Sequence, residues 1–191
     1  MGGFSSRRAI SRPTSAEAKN AGQQYLTFHL GVETYAIDVG NVRKIIDQGR
    51  LTELPRMPTA IRGVTQLQDS VVPVVDLAAR FGGHPSGHPS EAGQRRCVVV
   101  AEIAKGEHHM DVGLMVDAVA DLIEIPPSTI EPAPEFIGDV HARYVDGMAQ
   151  IDGAFVLILD IVKCLSIDDL ESLANVAQRG TDESAPADGA G

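Results

Sequence analysis

The chain has 191 residues, of which 43% are hydrophobic and 22% charged, enough for one domain or two small ones with a real core. Its formal net charge of −10 argues against a nucleic-acid backbone as partner, because that binding needs clustered Lys and Arg to displace counterions. With 4% aromatics and no Trp there is no base-stacking platform, and no apolar run approaches the length of a membrane span.

Residues 1–23 read as a polar, disordered tail, Arg- and Ser-rich, with a loose M-G-x-x-x-S acylation pattern and no apolar signal region. "YLTFHLGVETYAIDV" alternates Leu26, Phe28 and Leu30, then Tyr35, Ile37 and Val39, around Gly31, which predicts a hairpin. "NVRKII" follows with Val42, Ile45 and Ile46 at helical spacing. The prolines of "ELPRMP" break that pattern. "IRGVTQLQDSVVPVVDLAARF" then gives two strands around a Gln68-Asp69 turn, with Asp69 expected to be mildly strained, and a short helical stretch. "GGHPSGHPSEAGQ" is a loop by composition. "RRCVVVAEI" and "VGLMVDAV" read as strands, and Ser166 and Asp169 resemble a capping box opening a C-terminal helix over 167–178. Residues 179–191 form a second polar tail.

Many short strands between Gly and Pro turns predict a mainly β, barrel-rich fold. An internal repeat sharpens this. Gly63–Leu77 aligns without a gap on Gly147–Ile161 at an offset of 84, and "VRKII" matches "VADLI" (Val119–Ile123) at an offset of 77. Asp76 thereby recurs as Asp160, each closing an apolar strand and opening a helical turn. A carboxylate there accepts hydrogen bonds from the free N–H groups of that turn. Two copies on separate units fit structural caps better than a single catalytic acid. Pro73 cannot donate to a ladder, so its strand is an edge or its nitrogen faces outward.

The order V-x-x-I-I, LP, IRGV, VVPVVDL-x-x-RFG, VGLMVDAV and LILDI resembles the CheW family of bacterial chemotaxis coupling proteins over roughly residues 24–165. The resemblance implies two five-stranded SH3-like barrels related by the repeat, the first at about 36–95 and the second at about 96–165 with strand exchange near 24–35, within one domain spanning 24–178. It implies no catalysis, no cofactor and no nucleic acid or membrane insertion. It implies instead a cytoplasmic, array-associated adaptor between a chemoreceptor's cytoplasmic tip and the CheW-like regulatory domain of a histidine kinase. Carried over by motif, Val42, Lys44, Ile45 and Gly63 become the receptor-binding set, and Gln66, Gln68, Asp69 and Val71 the kinase-binding set. The family commonly has Glu at position 44 and Arg at 68. Lys44 cannot pair with such an Arg, but could hydrogen-bond Gln68 or approach Asp69, so the departure bears on partner choice.

Among competing readings, the histidines at 84, 88, 108 and 109 lack the acidic or Cys companions of a tetrahedral metal site. Cys97 and Cys164 sit in apolar surroundings and read as buried fillers. The alternative enzyme reading is a small β-barrel hydrolase using Asp76 or Asp160, which would need a pocket where polar groups converge.

Overall fold

The structure is a computed structural model that describes residues 22–82 except 50, 56 and 69, then 96–133 except 106 and 107, then 143–165. The loop at 83–95, residues 1–21 and 179–191 of the expected tails, Asp69 and the expected helix at 167–178 lie outside the described residues, while Gln23, expected in the tail, opens the first strand. Among the described residues, ten strands build two five-stranded sheets. The strands are β1 (Gln23–Leu30), β2 (Glu33–Asp38), β3 (Val42–Asp47), β4 (Ile61–Leu67), β5 (Ser70–Asp76), β6 (Cys97–Lys105), β7 (His108–Val116), β8 (Ala118–Ile125), β9 (Val145–Ile151) and β10 (Ala154–Leu159). Two one-turn helices follow β5 and β10: α1 (Leu77–Arg80) and α2 (Ile161–Cys164).

One sheet runs β3-β6-β7-β5-β4 and the other β8-β1-β2-β10-β9. Aligning these orders makes β3 equivalent to β8, the β6–β7 hairpin to the β1–β2 hairpin, and β4–β5 to β9–β10. Each half of the chain therefore contributes five strands but gives its first hairpin to the other half's sheet. The parallel pairings β5–β7 and β2–β10 make that exchange. A division between barrels near residue 95 is thus corrected: Cys97–Val116 joins the sheet of β3–β5, while β1 and β2 join β8–β10. Such hairpins are apolar on both faces and fit either sheet, so local pattern does not reveal which one takes them.

The repeat holds at the level of single bonds. Ile61 faces Val75 and Gly63 faces Val74 across a register shift, as Val145 faces Leu159 and Gly147 faces Ile158. Gln68 and Asp152 both take positive φ, at 53° and 49°, in the equivalent hairpin turns. Asp76 N donates to Ala60 O (2.8 Å) as Asp160 N donates to Tyr144 O (3.0 Å). Pro73 lies in an inner strand, but β5 meets β7 only over Val74–Asp76, so its missing donor costs no bond of that ladder.

In "NVRKII", Asn41 closes a 3-10 turn (Val39–Asn41) and Val42–Ile46 is strand, not α-helix. The ladder to β6 shifts register between Val42 and Lys44, and the residue inserted there turns a two-residue alternation into apparent three-residue spacing. "VADLI" behaves the same way within β8, where the ladder to β1 shifts between Leu26 and Phe28. A β-branched run this short carries no helix-forming advantage of its own.

Three cores result. Val72, Val74, Val98, Val100 and Met115 fill one barrel, and Tyr25, Ala36, Ile125, Ala149, Val156 and Ile158 fill the other. The third and largest lies between the sheets, where Ile61, Val75 and Leu77 meet their equivalents Val145, Leu159 and Ile161. Phe28, Tyr35, Phe81 and Tyr144 stack through it with successive ring centroids 6.0, 5.6 and 5.3 Å apart, spacings typical of favourable aromatic pairs. Arg80, at the end of α1, donates from Nε to Cys164 O (2.8 Å) at the end of α2 and lies over the Tyr144 ring. The last carbonyl of α2 is thus satisfied by a side chain from α1 in the other half.

Candidate functional site

The repeated aspartates are helix caps. Asp76 is fully buried and accepts from Ala79 N at 3.1 Å, with Arg62 Nε 3.8 Å from its other oxygen. Asp160 accepts from Val162 N and Lys163 N at 2.9 and 3.2 Å. Each orders the turn that follows its own strand.

A cleft of about 420 Å³ opens between the sheets, lined by Tyr25, Asp38, Glu102, Asp146, Asp160 and Val162 among others. Its carboxylates are largely committed. Asp38 holds Gly40 N and the Gln23 amide, Glu102 pairs with Arg43, and Asp146 pairs with Lys163. The Arg43 guanidinium holds the Glu102 carboxyl below its usual range, and hydrogen bonding to Asp146 raises the Lys163 ammonium. Burial, then the nearby Asp38 and Asp146, raises the Tyr25 phenol. Asp160 lines this cleft and Asp76 does not, so the two candidate acids of the hydrolase reading serve separate places.

Burial pushes the Cys164 thiol up to about 12. This keeps it protonated and inert at neutral pH. Among the described residues, no group of His, Cys, Asp or Glu could hold a metal ion.

Val42, Lys44 and Ile45 come together on β3, at one end of their sheet. Val42 is half-buried against the inter-sheet core, Lys44 is exposed, and Ile45 is 42% exposed. Gly63 lies on β4 at the other end of the strand order and is buried. Its φ is 145°, and a Cβ there would stand 2.4 Å from Thr52 O, so the backbone itself demands glycine. Gln66 and Val71 face each other across the β4–β5 ladder, Gln66 exposed and Val71 half-buried. Gln68 is exposed in the turn, and Asp69 lies outside the described residues. Among the described residues no hydrogen bond or ion pair joins Lys44 to Gln68. Leu122 on β8, equivalent to Ile45 at the offset of 77, is likewise exposed, at 62%.

A family model for the CheW-like domain matches residues 24–169, well over half of the chain. The chain belongs to the CheW family. It is similar to the chemotaxis protein CheW of Klebsiella aerogenes, 31% identical over 84% of this chain and 92% of that protein. It is also similar to protein FrzA of Myxococcus xanthus, 32% identical over 76% of this chain and 84% of the relative. The crystal structure of the scaffolding protein TtCheW from Thermoanaerobacter tengcongensis superposes with a TM-score of 0.63 at 28% identity, covering 73% of this chain and 89% of that one. CheW-family proteins are adaptors rather than enzymes, and this chain is a chemotaxis adaptor coupling receptors to a CheA-type kinase. Among the described residues, no helix is long and apolar enough to cross a membrane.

Proposed function

We propose that this CheW-family adaptor holds its two partners on opposite ends of the β3-β6-β7-β5-β4 sheet. The cytoplasmic tip of a chemoreceptor packs along β3 against Val42, Lys44 and Ile45, with Gly63 as a backbone determinant. The CheW-like regulatory domain of the kinase docks on the β4–β5 hairpin through Gln66, Gln68, Asp69 and Val71. The complex belongs to a cytoplasmic receptor array. The observation that carries the reading is the separation of these surfaces in the strand order, with a large apolar side chain, Ile45, left exposed on β3. Apart from Gly63, which is buried within β4, the side chains of the two sets stand on different strands, so two partners can be held at once. Lys44, whose ammonium is exposed on β3, tunes the receptor edge toward an acidic surface.

Ile45→Asp tests the reading. It places a charge in a contact that must desolvate, so receptor-fragment capture should fall at least tenfold. The melting temperature should hold, because Ile45 is exposed in the free protein. Undiminished capture of the receptor fragment by the folded variant would remove β3 from the interface.

A further inference from the structure

The cleft between the sheets carries more negative charge than its own cations balance. Asp38, Glu102, Asp146 and Asp160 all line it. Among the described residues, the cations paired with them are Arg43 on Glu102, Lys163 on Asp146 and Asp160, and His109 on Glu102 when protonated. Asp38 holds only neutral donors, Gly40 N at 2.8 Å and the Gln23 amide. Apolar side chains stand among these carboxylates: Ile158 is buried and Val162 is 47% exposed. Such a cleft suits a segment that sets guanidinium groups beside an apolar side chain. The chain carries one directly upstream. Gln23, the first residue of β1, itself lines the cleft. Residues 1–21 hold Arg7, Arg8, Arg12 and Lys19 against Glu17 alone, in a chain whose net charge is −10. In extended backbone Arg8, Ile10 and Arg12 fall on one face, and Pro13 favours that conformation at Arg12. The stretch from Arg12 to Gln23 spans up to about 36 Å when extended, ample to fold back. Residues 179–191 have the wrong sign, with Asp182, Glu183 and Asp188 against Arg179.

We propose that this cleft is the docking site for the chain's own N-terminal segment, with Arg7–Arg12 laid across it. The Arg8 and Arg12 guanidiniums meet its carboxylates, the uncompensated Asp38 first, and Ile10 packs against Ile158 and Val162. The chain thereby supplies both halves of the charge complementarity. The contact is weak as an encounter between free molecules, because the charges are solvated before they meet. Tethering sets the effective concentration of the segment in the millimolar range, so the cleft is filled in cis. Added salt screens the charges and releases the segment.

Backbone amide NMR spectra of the full chain test the inference, comparing the wild type with a variant carrying Arg7→Glu, Arg8→Glu and Arg12→Glu together. All three substitutions lie upstream of β1, and equal melting curves verify that the fold is intact. The amide signals of Tyr25, Asn41, Ile103 and Val162 should differ between the two proteins at low salt, and high salt should bring the wild-type signals toward those of the variant. A synthetic peptide with the sequence of residues 1–21 is then titrated into each. It should move the same signals of the triple variant to saturation. It should bind the wild type at least tenfold more weakly, because the tethered segment already fills the cleft. The same peptide with its three arginines replaced by glutamate should move none of them. Cleft signals that coincide in wild type and variant overturn the inference. So does a peptide that binds both proteins equally, or one that moves only signals away from the cleft.

Discussion

Replacing Gly63 with Ala separates architecture from recognition at a residue that the family resemblance assigns to receptor binding. The added Cβ would stand 2.4 Å from Thr52 O and 2.9 Å from Thr52 C, both backbone atoms that cannot swing aside. Relief requires a shift of the Thr52 backbone that strains or breaks two 2.9 Å bonds, Thr52 N to Val64 O and Val64 N to Thr52 O. Each bond contributes about 0.5–1.5 kcal/mol net. Holding a non-glycine residue at φ 145° adds about 1–3 kcal/mol. The sum is about 4 kcal/mol, or a fall in melting temperature of roughly 10 °C for a domain of this size. Gly147→Ala is the internal control. Its Cβ would stand 2.6 Å from Ile130 Cγ2, a side-chain atom, and 2.9 Å from Glu131 O, and Gly147 is not among the positive-φ residues. Its cost should be smaller, about 1–2 kcal/mol. Urea denaturation of both variants reads the difference. A Gly63→Ala protein within about 0.5 kcal/mol of wild type, or an equal loss at Gly147, would refute the steric argument.

Asp76→Asn should cost more stability than Asp160→Asn in the same urea assay. Asp76 is fully buried beside Arg62, whereas Asp160 is partly solvated; the expected losses are about 2 and 1 kcal/mol. Alkaline pH should destabilise the protein through Cys164. Its thiol titrates near 9.0 when free and near 12 when folded, so the stabilisation is complete below pH 9 and is lost as pH rises toward 12. The slope is about 1.4 kcal/mol per pH unit within that window, and Cys164→Ala should flatten it in pH-dependent melts. Arg80→Ala removes the cross-cap on Cys164 O and the contact with Tyr144. It should lower stability by about 1–2 kcal/mol, read as a lower urea midpoint.

The gapless alignment of Gly63–Leu77 on Gly147–Ile161 carried the repeat, the hairpin turns, the two caps and the mainly β class, because alternation and turn residues are local signals. Three features were not local. The long-range contacts β3–β6, β5–β7, β1–β8 and β2–β10 fix the exchange of hairpins between sheets, and apolar strands fit either sheet equally well. The bulge within Val42–Lys44 disguised an edge strand as a helix. The close approach of Thr52 to Gly63 joins residues from different segments, and sequence showed only a glycine that permits it. At the candidate site, "VRKII" and "VADLI" are a pair by sequence, but the exposure of Ile45 and Leu122 follows from the end positions of β3 and β8 in their sheets, which no local pattern encodes.

The most direct test of the adaptor function is reconstitution of purified receptor signalling fragment, CheA-type kinase and this chain, scored by the kinase that sediments with assembled receptor. Recruitment should require this chain, should saturate as it is titrated in, and should be lost with Ile45→Asp while that variant remains folded. Equal kinase recruitment with and without the chain would contradict the account.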